Sequence, residues 1–218
     1  MNSANYTNRT RLVILGSTGS IGRQTLDIVR SFPDEFEVVG LAAGNNIVLL
    51  NEQVEEFKPK HVWCINPPAG AFPGTEFTAM EDMVRLENVD QVAIALMGSV
   101  GLVPTLNALK AGKLIALSNK EPIVMAGGLI MEYASRYGGE VLPVDSEPSA
   151  IWQCLRGEDS TASRLIITAS GGAFRDRDPA ELANVTPEEA LTSPFTKLNG
   201  ILLPRYEGYA FGERIGCP

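Results

Sequence analysis

The sequence predicts an α/β protein, with a Rossmann-like doubly wound parallel sheet followed by the start of a smaller α+β domain. Two observations support this prediction. Short apolar runs with little alternation, beginning at residues 12–15, are separated by segments with helical spacing of apolar residues, such as Ser20–Ser31. Such strands are typical of a parallel sheet whose two faces are covered by helices. A glycine-rich segment also joins the first strand directly to the first helix, as in dinucleotide-binding sheets.

The predicted elements alternate regularly through the first two thirds of the chain. We expect buried strands at residues 12–15, 37–43, 61–64, 92–96 and 113–117. We expect helices at residues 20–31, 47–57, 102–111 and 122–137. After residue 143 the pattern changes to a short helix (149–155), a strand (164–169) and a weak helix start at Thr186. We therefore predict three segments, at residues 1–143, 144–192 and 193–218, of which the last is an atypical tail.

Composition and charge exclude several classes of protein. The chain has 218 residues, a net charge of −8 and 44% hydrophobic residues, which is enough apolar material for a folded core. The acidic balance provides no electrostatic surface for nucleic acid or for an anionic membrane, and no apolar run is long enough to span a bilayer. The three cysteines lie far apart without a C-x-x-C pair, which is typical of a reducing cytoplasm. The single histidine, His61, stands at the start of a predicted strand, away from every polar cluster, which excludes histidine-based triads and His-rich metal sites.

The first candidate site is the glycine-rich turn at residues 16–22, which reads Gly-Ser-Thr-Gly-Ser-Ile-Gly. Glycines allow a tight turn and let a phosphate approach the backbone, while free N–H groups and the positive end of the helix attract the anion. The spacing is related to the dinucleotide fingerprint, and its place between a strand and a helix strengthens the interpretation. The alternative is a turn that needs its glycines only for packing.

The end of the second predicted strand indicates which dinucleotide is bound. NAD-specific sites usually place Asp or Glu there, about 20 residues after the glycines, to bind the ribose 2′-hydroxyl. Here the sequence is Ala43-Gly44-Asn45-Asn46. It has no carboxylate to repel a 2′-phosphate and two amides that could donate to one, which favours NADP over NAD. The alternative is an ordinary loop after a strand.

A polar cluster, Ser118-Asn119-Lys120-Glu121, follows the fifth predicted strand. It lies at the end of the strand where open α/β sheets bind ligands. Asn119 suits a contact with a nicotinamide or a phosphate, and Lys120 suits a contact with the substrate. The alternative is structural, with Ser118 or Asn119 capping a helix that has Pro122 near its first turn. The two roles are compatible.

A second polar cluster is Asp145-Ser146-Glu147. Two carboxylates at this spacing can supply oxygen ligands to one hard divalent cation, Mg²⁺ or Mn²⁺. They could instead act as acid and base, or Asp145 or Ser146 could cap a helix starting near Pro148. Further along, Ser170 precedes two glycines after a predicted strand, a pattern that either holds a phosphate or forms a plain turn.

Taken in order, these motifs closely resemble those of the 1-deoxy-D-xylulose 5-phosphate reductoisomerase family, over about residues 11–190. The matching segments are Gly16-Ser-Thr-Gly-Ser-Ile-Gly22 with Thr25-Leu-Asp27, Ala43-Gly-Asn-Asn46, Gly101-Leu-Val-Pro-Thr105, Ser118-Asn-Lys-Glu121, Val144-Asp-Ser-Glu147 with Ser149-Ala-Ile151, and Ala169-Ser-Gly-Gly172. The resemblance implies an NADPH-binding domain at residues 1–143 and a partial catalytic, metal-binding domain at residues 144–192.

The resemblance also implies a role for each matching residue. NADPH would be held by Thr18, Gly19, Ser20, Ile21, Gly44, Asn45, Asn46, Asn119 and Glu121. Two of three protein ligands to Mg²⁺ or Mn²⁺ would be Asp145 and Glu147. The substrate or its phosphate would contact Lys120, Ser146, Glu147 and Ser170. The catalytic residues would be Lys120, Asp145 and Glu147.

The activity implied by the resemblance belongs to non-mevalonate isoprenoid precursor synthesis. In the family reaction the metal chelates the carbonyl and hydroxyl oxygens of a phosphorylated sugar, 1-deoxy-D-xylulose 5-phosphate. A carbon–carbon rearrangement gives an aldehyde, which NADPH reduces to 2-C-methyl-D-erythritol 4-phosphate. The family is homodimeric, and we expect a cytoplasmic enzyme with no nucleic-acid or membrane partner.

The sequence departs from the family pattern near and after the carboxylate pair. Pro148 stands where the family has a His, and Ser193 stands where it has a substrate-binding His. The loop Trp, the Asn-Lys pair and the third metal-binding Glu of the family are not recognisable. We expect the segment from Thr192 onward to be an out-of-frame reading or part of a broken gene. A genuine, divergent short protein is the alternative.

Two other functions stay open beside the reductoisomerase. One is a non-catalytic dinucleotide-binding fragment, and the other is an NADP-dependent dehydrogenase of a small polar substrate, for which the carboxylate pair is atypical. Because two carboxylates do not complete a metal site, we expect the 218-residue chain to bind NADPH measurably but to turn over weakly or not at all. Dependence on a divalent cation distinguishes the rearrangement from simple hydride transfer.

Overall fold

The computed structural model of the protein describes residues 9–68, 70–158, 162–164, 172–174, 177–192, 197–198 and 201–202. The chain divides into two compact units, the first ending at Arg156 and the second beginning at Gly157. Of the described helices, none is long and apolar enough to cross a membrane.

A seven-stranded parallel sheet forms the centre of the first unit. Its strands are β1 (Thr10–Leu15), β2 (Phe36–Ala42), β3 (His61–Trp63), β4 (Glu76–Phe77), β5 (Gln91–Ile94), β6 (Leu114–Leu117) and β7 (Glu140–Pro143). Their spatial order is β4-β3-β2-β1-β5-β6-β7. The chain therefore builds outward from β1 in one direction, returns, and builds outward from β5 in the other. This reversal leaves a crevice between the carboxyl ends of β1 and β5, where doubly wound sheets bind their ligands.

Helices cover this sheet on both faces. They are α1 (Ser20–Ser31), α2 (Ile47–Phe57), α3 (Met80–Met83), α4 (Leu102–Lys110), α5 (Glu121–Tyr137) and α6 (Ser146–Leu155), with a 3₁₀ helix at Gly98–Gly101. Alternate residues of β1 enter opposite cores. Leu12 and Ile14 belong to the core formed with α1 and α2, whereas Val13 and Leu15 belong to the core formed with α3, α4 and α5. The strand has no solvent-facing side, which explains its unbroken apolar sequence.

The predicted fold class is confirmed, but several short elements are missing from the prediction. β4 has two residues and α3 has four, which is too short for either to show a period. β7 is an edge strand with no fully buried residue, so its apolar signal is weak. The predicted helix at 149–155 begins earlier, at Ser146, because proline is tolerated in the first turn and Pro148 does not stop it. Most of the predicted strand at 164–169 lies outside the described residues.

One ion pair ties β1 to the start of β5, at the opposite edge of the sheet from the crevice. Arg11 donates through Nε and Nη2 to the Asp90 carboxylate at 2.9 and 2.6 Å, and its backbone N–H donates to the same carboxylate at 2.8 Å. The Arg11 guanidinium lowers the pKa of Asp90 to about 2. Both side chains are about two-fifths exposed, so water screens much of this interaction.

The described part of the second unit consists of short elements. They are 3₁₀ helices at Gly172–Phe174 and Pro179–Asn184, α7 (Pro187–Thr192), and an antiparallel pair of β8 (Lys197–Leu198) and β9 (Ile201–Leu202). The helix start predicted at Thr186 is confirmed by a capping box. The Thr186 N–H donates to Glu189 Oε2 at 2.9 Å, and the Glu189 N–H donates to Thr186 Oγ1 at 3.3 Å.

Candidate functional site

The segments that follow β1, β2, β5, β6 and β7 meet at one edge of the sheet. The parallel hydrogen-bond pattern extends past the ends of the strands. Gly16 donates to the Ala42 carbonyl at 2.8 Å, and Ala95 donates to the Leu15 carbonyl at 2.8 Å. On the other side of the crevice, Ser118 donates to Ile94 at 3.1 Å and Val144 donates to Leu117 at 3.0 Å, through their backbone N–H groups. The polar clusters predicted separately from the sequence therefore share one edge of the sheet.

The turn at residues 16–22 needs glycine at two positions. Gly16 has φ +88°, and a Cβ built on it would lie 2.3 Å from the Ala95 carbonyl oxygen. A Cβ on Gly22 would lie 2.2 Å from the Gly16 carbonyl oxygen. In both cases the added Cβ would clash with backbone atoms, which, unlike a side chain, cannot move away by changing rotamer. The turn is therefore packed directly against the end of β5 and against the first turn of α1, and no larger residue fits.

The same turn presents backbone donors without partners. α1 starts after Gly19, which provides no side-chain cap, and the Gly19 N–H is used by the Gly16 carbonyl at 3.0 Å. Among the described residues, the N–H groups of Thr18, Ser20 and Ile21 donate to no protein acceptor. Free donors at the positive end of a twelve-residue helix are able to hold an anion. Packing and anion binding, which the sequence offered as alternatives, are both compatible with this geometry.

The loop after β2 has two exposed asparagines beside an open glycine. A Cβ on Gly44 would meet nothing within 4 Å, so a ligand can approach the backbone closely here. Asn46 caps α2, since its Oδ1 accepts the Leu49 N–H at 3.2 Å; this leaves its Nδ2 group to donate elsewhere. Asn45 is exposed, and its carbonyl accepts the Ile47 N–H at 2.9 Å. The loop contains no carboxylate, as its sequence already showed.

Asn119 is the most buried polar side chain of the cluster after β6, with 4% exposure. Its Nδ2 donates to the Gly98 carbonyl at 3.0 Å, and its Oδ1 accepts the Glu121 N–H at 3.0 Å. The neighbouring Ser118 hydroxyl donates to the Ile94 carbonyl at 2.9 Å. Asn119 therefore satisfies the first amide of α5 and joins it to the 3₁₀ helix after β5. The predicted N-cap is therefore displaced: Lys120 is the N-cap residue and provides no side-chain cap, while Asn119, one residue earlier, binds the first amide of the helix. The cofactor contact of Asn119 stays a prediction.

Lys120 connects two clusters that are 25 positions apart in the sequence. Its Nζ lies 3.4 Å from Asp145 Oδ2. The Lys120 side chain is 60% exposed and that of Asp145 is 29% exposed. Because β6 and β7 are neighbours in the sheet, the ammonium group that follows β6 reaches the carboxylate that follows β7. A cation and a carboxylate pair thus lie together at the crevice edge, where an anionic, oxygen-rich substrate could contact both.

The carboxylates of Asp145 and Glu147 both lie at the start of α6. Asp145 is the N-cap residue and accepts the Ser146 N–H at 3.3 Å, so the capping role is confirmed, with the helix beginning at Ser146. The Ser146 hydroxyl donates to Glu147 Oε2 at 2.9 Å. The pKa of Glu147 is held below its usual range by its own backbone N–H, then by this hydroxyl and by Lys120. Both carboxylates are accessible, as metal ligands must be.

These oxygens suit a hard divalent cation but do not surround one. In the part of the chain that the structure describes, no group of three or more His, Cys, Asp or Glu side chains could hold a metal ion. Two carboxylate residues supply part of the six-oxygen shell that Mg²⁺ requires. The donor chemistry therefore fits magnesium or manganese, and the two carboxylates would supply only part of the ligands that either ion needs.

Two residues named from the sequence cannot be placed. Ser170, predicted to contact the substrate, and Ser193, at the position of a substrate-binding His, lie outside the described residues. A further pair was missed by the sequence analysis. Gln53 on α2 is 3% exposed, and its Nε2 donates to the carbonyl of Ser17, inside the glycine turn, at 2.9 Å. The available signal was the position of Gln53 three residues after Leu50, on the buried stripe of α2.

The sheet order, the glycine turn and the crevice define a Rossmann-type α/β protein, a class whose members bind dinucleotides at this position. The comparison with known proteins is more specific. A family model described as 1-deoxy-D-xylulose 5-phosphate reductoisomerase matches residues 12–127, and the model of that enzyme's C-terminal domain matches residues 141–200. The chain belongs to the 1-deoxy-D-xylulose 5-phosphate reductoisomerase family, which confirms the resemblance noted from its motifs.

Individual relatives agree with this membership. The 1-deoxy-D-xylulose 5-phosphate reductoisomerase of Caldanaerobacter subterraneus subsp. tengcongensis is 47% identical over 201 residues, which cover 86% of this chain and 52% of that protein. The Zymomonas mobilis enzyme, solved in complex with NADPH, is similar with a TM-score of 0.74 and 36% identity, over 85% of this chain and 52% of that one. A DOX-P reductoisomerase solved with NADPH, fosmidomycin and magnesium has a TM-score of 0.69 and 35% identity, over 85% of this chain and 51% of that one. The chain thus spans about half the length of these relatives.

Proposed function

We propose that this chain binds NADPH at the crevice between β1 and β5. The observation that supports the proposal is the glycine turn, which presents three unpartnered N–H groups at the start of α1 where a pyrophosphate would lie. The open backbone at Gly44 and the amides of Asn45 and Asn46 would receive the adenosine ribose and its 2′-phosphate. The absence of a carboxylate in this loop supports NADP over NAD.

The remaining NADPH contacts belong to the segments after β1 and β6. In this proposal Thr18, Gly19, Ser20 and Ile21 line the pyrophosphate. Asn119 and Glu121 border the nicotinamide half of the crevice, at the first turn of α5. Because Asn119 is fixed at both ends of its amide, its contribution would be to hold the loop in place and to exclude water, with one Nδ2 hydrogen left to donate.

We propose that Asp145 and Glu147 are ligands of Mg²⁺ or Mn²⁺. When bound, such a cation supplies a Lewis acid that can chelate neighbouring carbonyl and hydroxyl oxygens of a substrate. Lys120 lies against Asp145 and would balance the charge of the carboxylates until an anionic substrate arrives. Ser146 orients Glu147 through its hydroxyl and would, like Lys120, contact the substrate. Ser170 is proposed as a further contact with the substrate phosphate.

For the whole protein we propose the family reaction, the NADPH- and metal-dependent conversion of 1-deoxy-D-xylulose 5-phosphate to 2-C-methyl-D-erythritol 4-phosphate. Support comes from the family membership and from the joint presence of a dinucleotide turn, a lysine and two carboxylates at one crevice. Residues 1–143 would be the NADPH-binding domain and residues 144–192 part of the catalytic domain. Homodimeric assembly and a cytoplasmic location are further proposals, supported by the family resemblance and by the cysteine usage.

The direct test is NADPH oxidation, followed by absorbance, with 1-deoxy-D-xylulose 5-phosphate and Mn²⁺. For the 218-residue chain we expect saturable NADPH binding with weak or no turnover, because the described carboxylates form only a partial metal site. Full, metal-dependent turnover by this chain would contradict that expectation. Saturable NADPH binding by a chain that has no measurable affinity for Mn²⁺ would favour the second candidate, a non-catalytic dinucleotide-binding fragment.

A further inference from the structure

Gln53 makes an unusual contact between α2 and the glycine turn. It is 3% exposed, and its Nε2 donates to the Ser17 carbonyl oxygen at 2.9 Å. Its Oε1 is buried without a hydrogen-bond partner among the described residues, and so is the hydroxyl of Ser17, whose residue is 0% exposed. Among the described residues, the buried amide of Gln53 thus makes one hydrogen bond, to the glycine turn.

A glutamine in this position requires an explanation. It lies on the buried stripe of α2 beside Leu50 and Val54, which are 0% and 8% exposed. An apolar side chain would fill that stripe without leaving a buried acceptor unpaired, and an unpaired buried polar atom is costly. The buried amide is therefore less favourable for the packing of α2 than an apolar side chain would be. The hydrogen bond that it makes is to the backbone of the glycine turn.

The bond fixes the orientation of one peptide group in the turn. With the Ser17 carbonyl held toward α2, the N–H of Thr18 points to the opposite side, because the two groups are antiparallel across a trans peptide bond. The Thr18 N–H is the first of the three unpartnered donors in the turn. The Ser17 N–H is held separately by the Ala42 carbonyl at 2.9 Å. Gln53 thus holds the carbonyl group of Ser17, whose peptide bond carries the Thr18 N–H, the first of the unpartnered donors.

We propose that Gln53 is a positioning residue for the dinucleotide, which it does not touch. It orients the 17–18 peptide group so that the Thr18 N–H faces the pyrophosphate. This inference rests on the proposed NADPH site and goes further by assigning a role to a residue of α2. It predicts that loss of the Gln53 donor lowers the affinity for ligands that contact the turn. The affinity for ligands that bind only at the end of β2 should not change.

The test is Gln53→Met, which keeps the length of the side chain and removes its donor. NADPH engages the turn, whereas adenosine 2′-monophosphate has no pyrophosphate and would occupy only the loop after β2. We expect the NADPH Kd to rise about tenfold, or ~1.4 kcal/mol, and the Kd of adenosine 2′-monophosphate to change less than about twofold. The matched control is Gln153→Met, at an exposed glutamine on α6, which should leave both constants unchanged.

Each outcome decides a separate question. An unchanged NADPH Kd in Gln53→Met overturns the inference, as does an equal loss for both ligands, which would mean that Gln53 only stabilises α2. If the wild-type chain binds neither ligand, the proposed function itself fails. If Gln53→Met does not fold, two-dimensional NMR of the wild-type chain gives the answer. On NADPH addition the Gln53 side-chain amide and Thr18 N–H signals should shift while the Gln153 amide stays, and an unmoved Gln53 signal overturns the inference.

Discussion

The glycine turn and the carboxylate segment lie at the same edge of the sheet but are built in different ways. The turn consists of backbone, and its shape follows from steric contacts within residues 16–22 and with the end of β5. The segment of Asp145 and Glu147 consists of side chains that project from the first turn of α6. There one carboxylate is paired with Lys120 and the other with a hydroxyl. The turn is complete in the described structure, whereas the two carboxylates would provide only part of the coordination shell of the proposed metal.

This difference shows that backbone sites and side-chain sites make different demands on a protein. A backbone anion site needs only the local strand–turn–helix unit, because its donors are the N–H groups that every helix start leaves free. A hard-metal site needs several oxygen ligands converging from separate parts of the fold. We therefore expect a chain that contains the dinucleotide unit to bind cofactor even where its metal ligands are few. Four sets of variants test whether the two sites differ in this way.

The largest effect is expected at the turn itself, from Gly22→Ala. The added Cβ would lie 2.2 Å from the Gly16 carbonyl oxygen and 2.6 Å from the Ser17 Cα, so the backbone must move. We expect the NADPH Kd to rise at least ~100-fold, about 2.7 kcal/mol, measured by nucleotide fluorescence. The control is Gly128→Ala in α5, where the new Cβ meets nothing within 4 Å. That variant should keep its affinity and gain roughly 0.5–1 kcal/mol of stability. Equal behaviour of the two variants would contradict the steric account of the turn.

The next effect concerns the buried link between the ends of β5 and β6. Asn119→Leu removes the bonds to the Gly98 carbonyl and the Glu121 N–H, and leaves both backbone groups without this partner. We expect the free energy of unfolding to fall by about 2–3 kcal/mol, measured by urea denaturation. Asn107→Leu, at a half-buried asparagine of α4, should change it by much less. A similar loss in both variants would show that Asn119 has no special structural role.

A smaller effect is expected at the carboxylate segment, measured as Mn²⁺ affinity. Asp145→Asn and Glu147→Gln each remove one charged oxygen ligand while keeping the shape of the side chain. Each should weaken Mn²⁺ binding by roughly tenfold, followed by electron paramagnetic resonance of the free ion, with no change in NADPH affinity. Glu132→Gln on the exposed face of α5 is the control, since Arg136 is the charged group that lies near its carboxylate among the described residues. If all three variants bind Mn²⁺ equally, the proposed metal site is wrong.

The smallest effect is at the opposite edge of the sheet, where Arg11 holds Asp90. The pKa of Asp90 is about 2 in the folded chain against an ordinary 3.8. The ion pair therefore stabilises the fold fully above pH 3.8, and this contribution is lost as the pH falls toward 2. Because both side chains are well exposed, we expect a difference of about 1 kcal/mol or less between wild type and Asp90→Asn near neutral pH. Urea unfolding at pH 6 and pH 3 should show this difference shrinking; a constant difference would contradict the assignment.

The sequence predicts the long elements and the turn well because both depend on local patterns. β1 has an unbroken apolar run and α2 has apolar residues at helical spacing, and the G-x-x-G-x-x-G spacing determines the turn almost alone. The sequence also predicts that the polar clusters share one edge, since the carboxyl ends of parallel strands lie together. It cannot predict the Lys120–Asp145 contact, which depends on β6 and β7 being neighbours, or the burial of Gln53. Both follow from tertiary packing, which no local pattern encodes.

Calorimetric titration of the 218-residue chain with NADPH and with NADH, in the presence and absence of Mn²⁺, shows whether the glycine turn binds cofactor independently of the carboxylate segment. If the turn is complete and the carboxylate segment is partial, NADPH should bind saturably and more tightly than NADH, with the same affinity whether or not Mn²⁺ is present. If NADPH does not bind, or binds only when Mn²⁺ is added, the claim that the backbone site is complete independently of the metal site is contradicted.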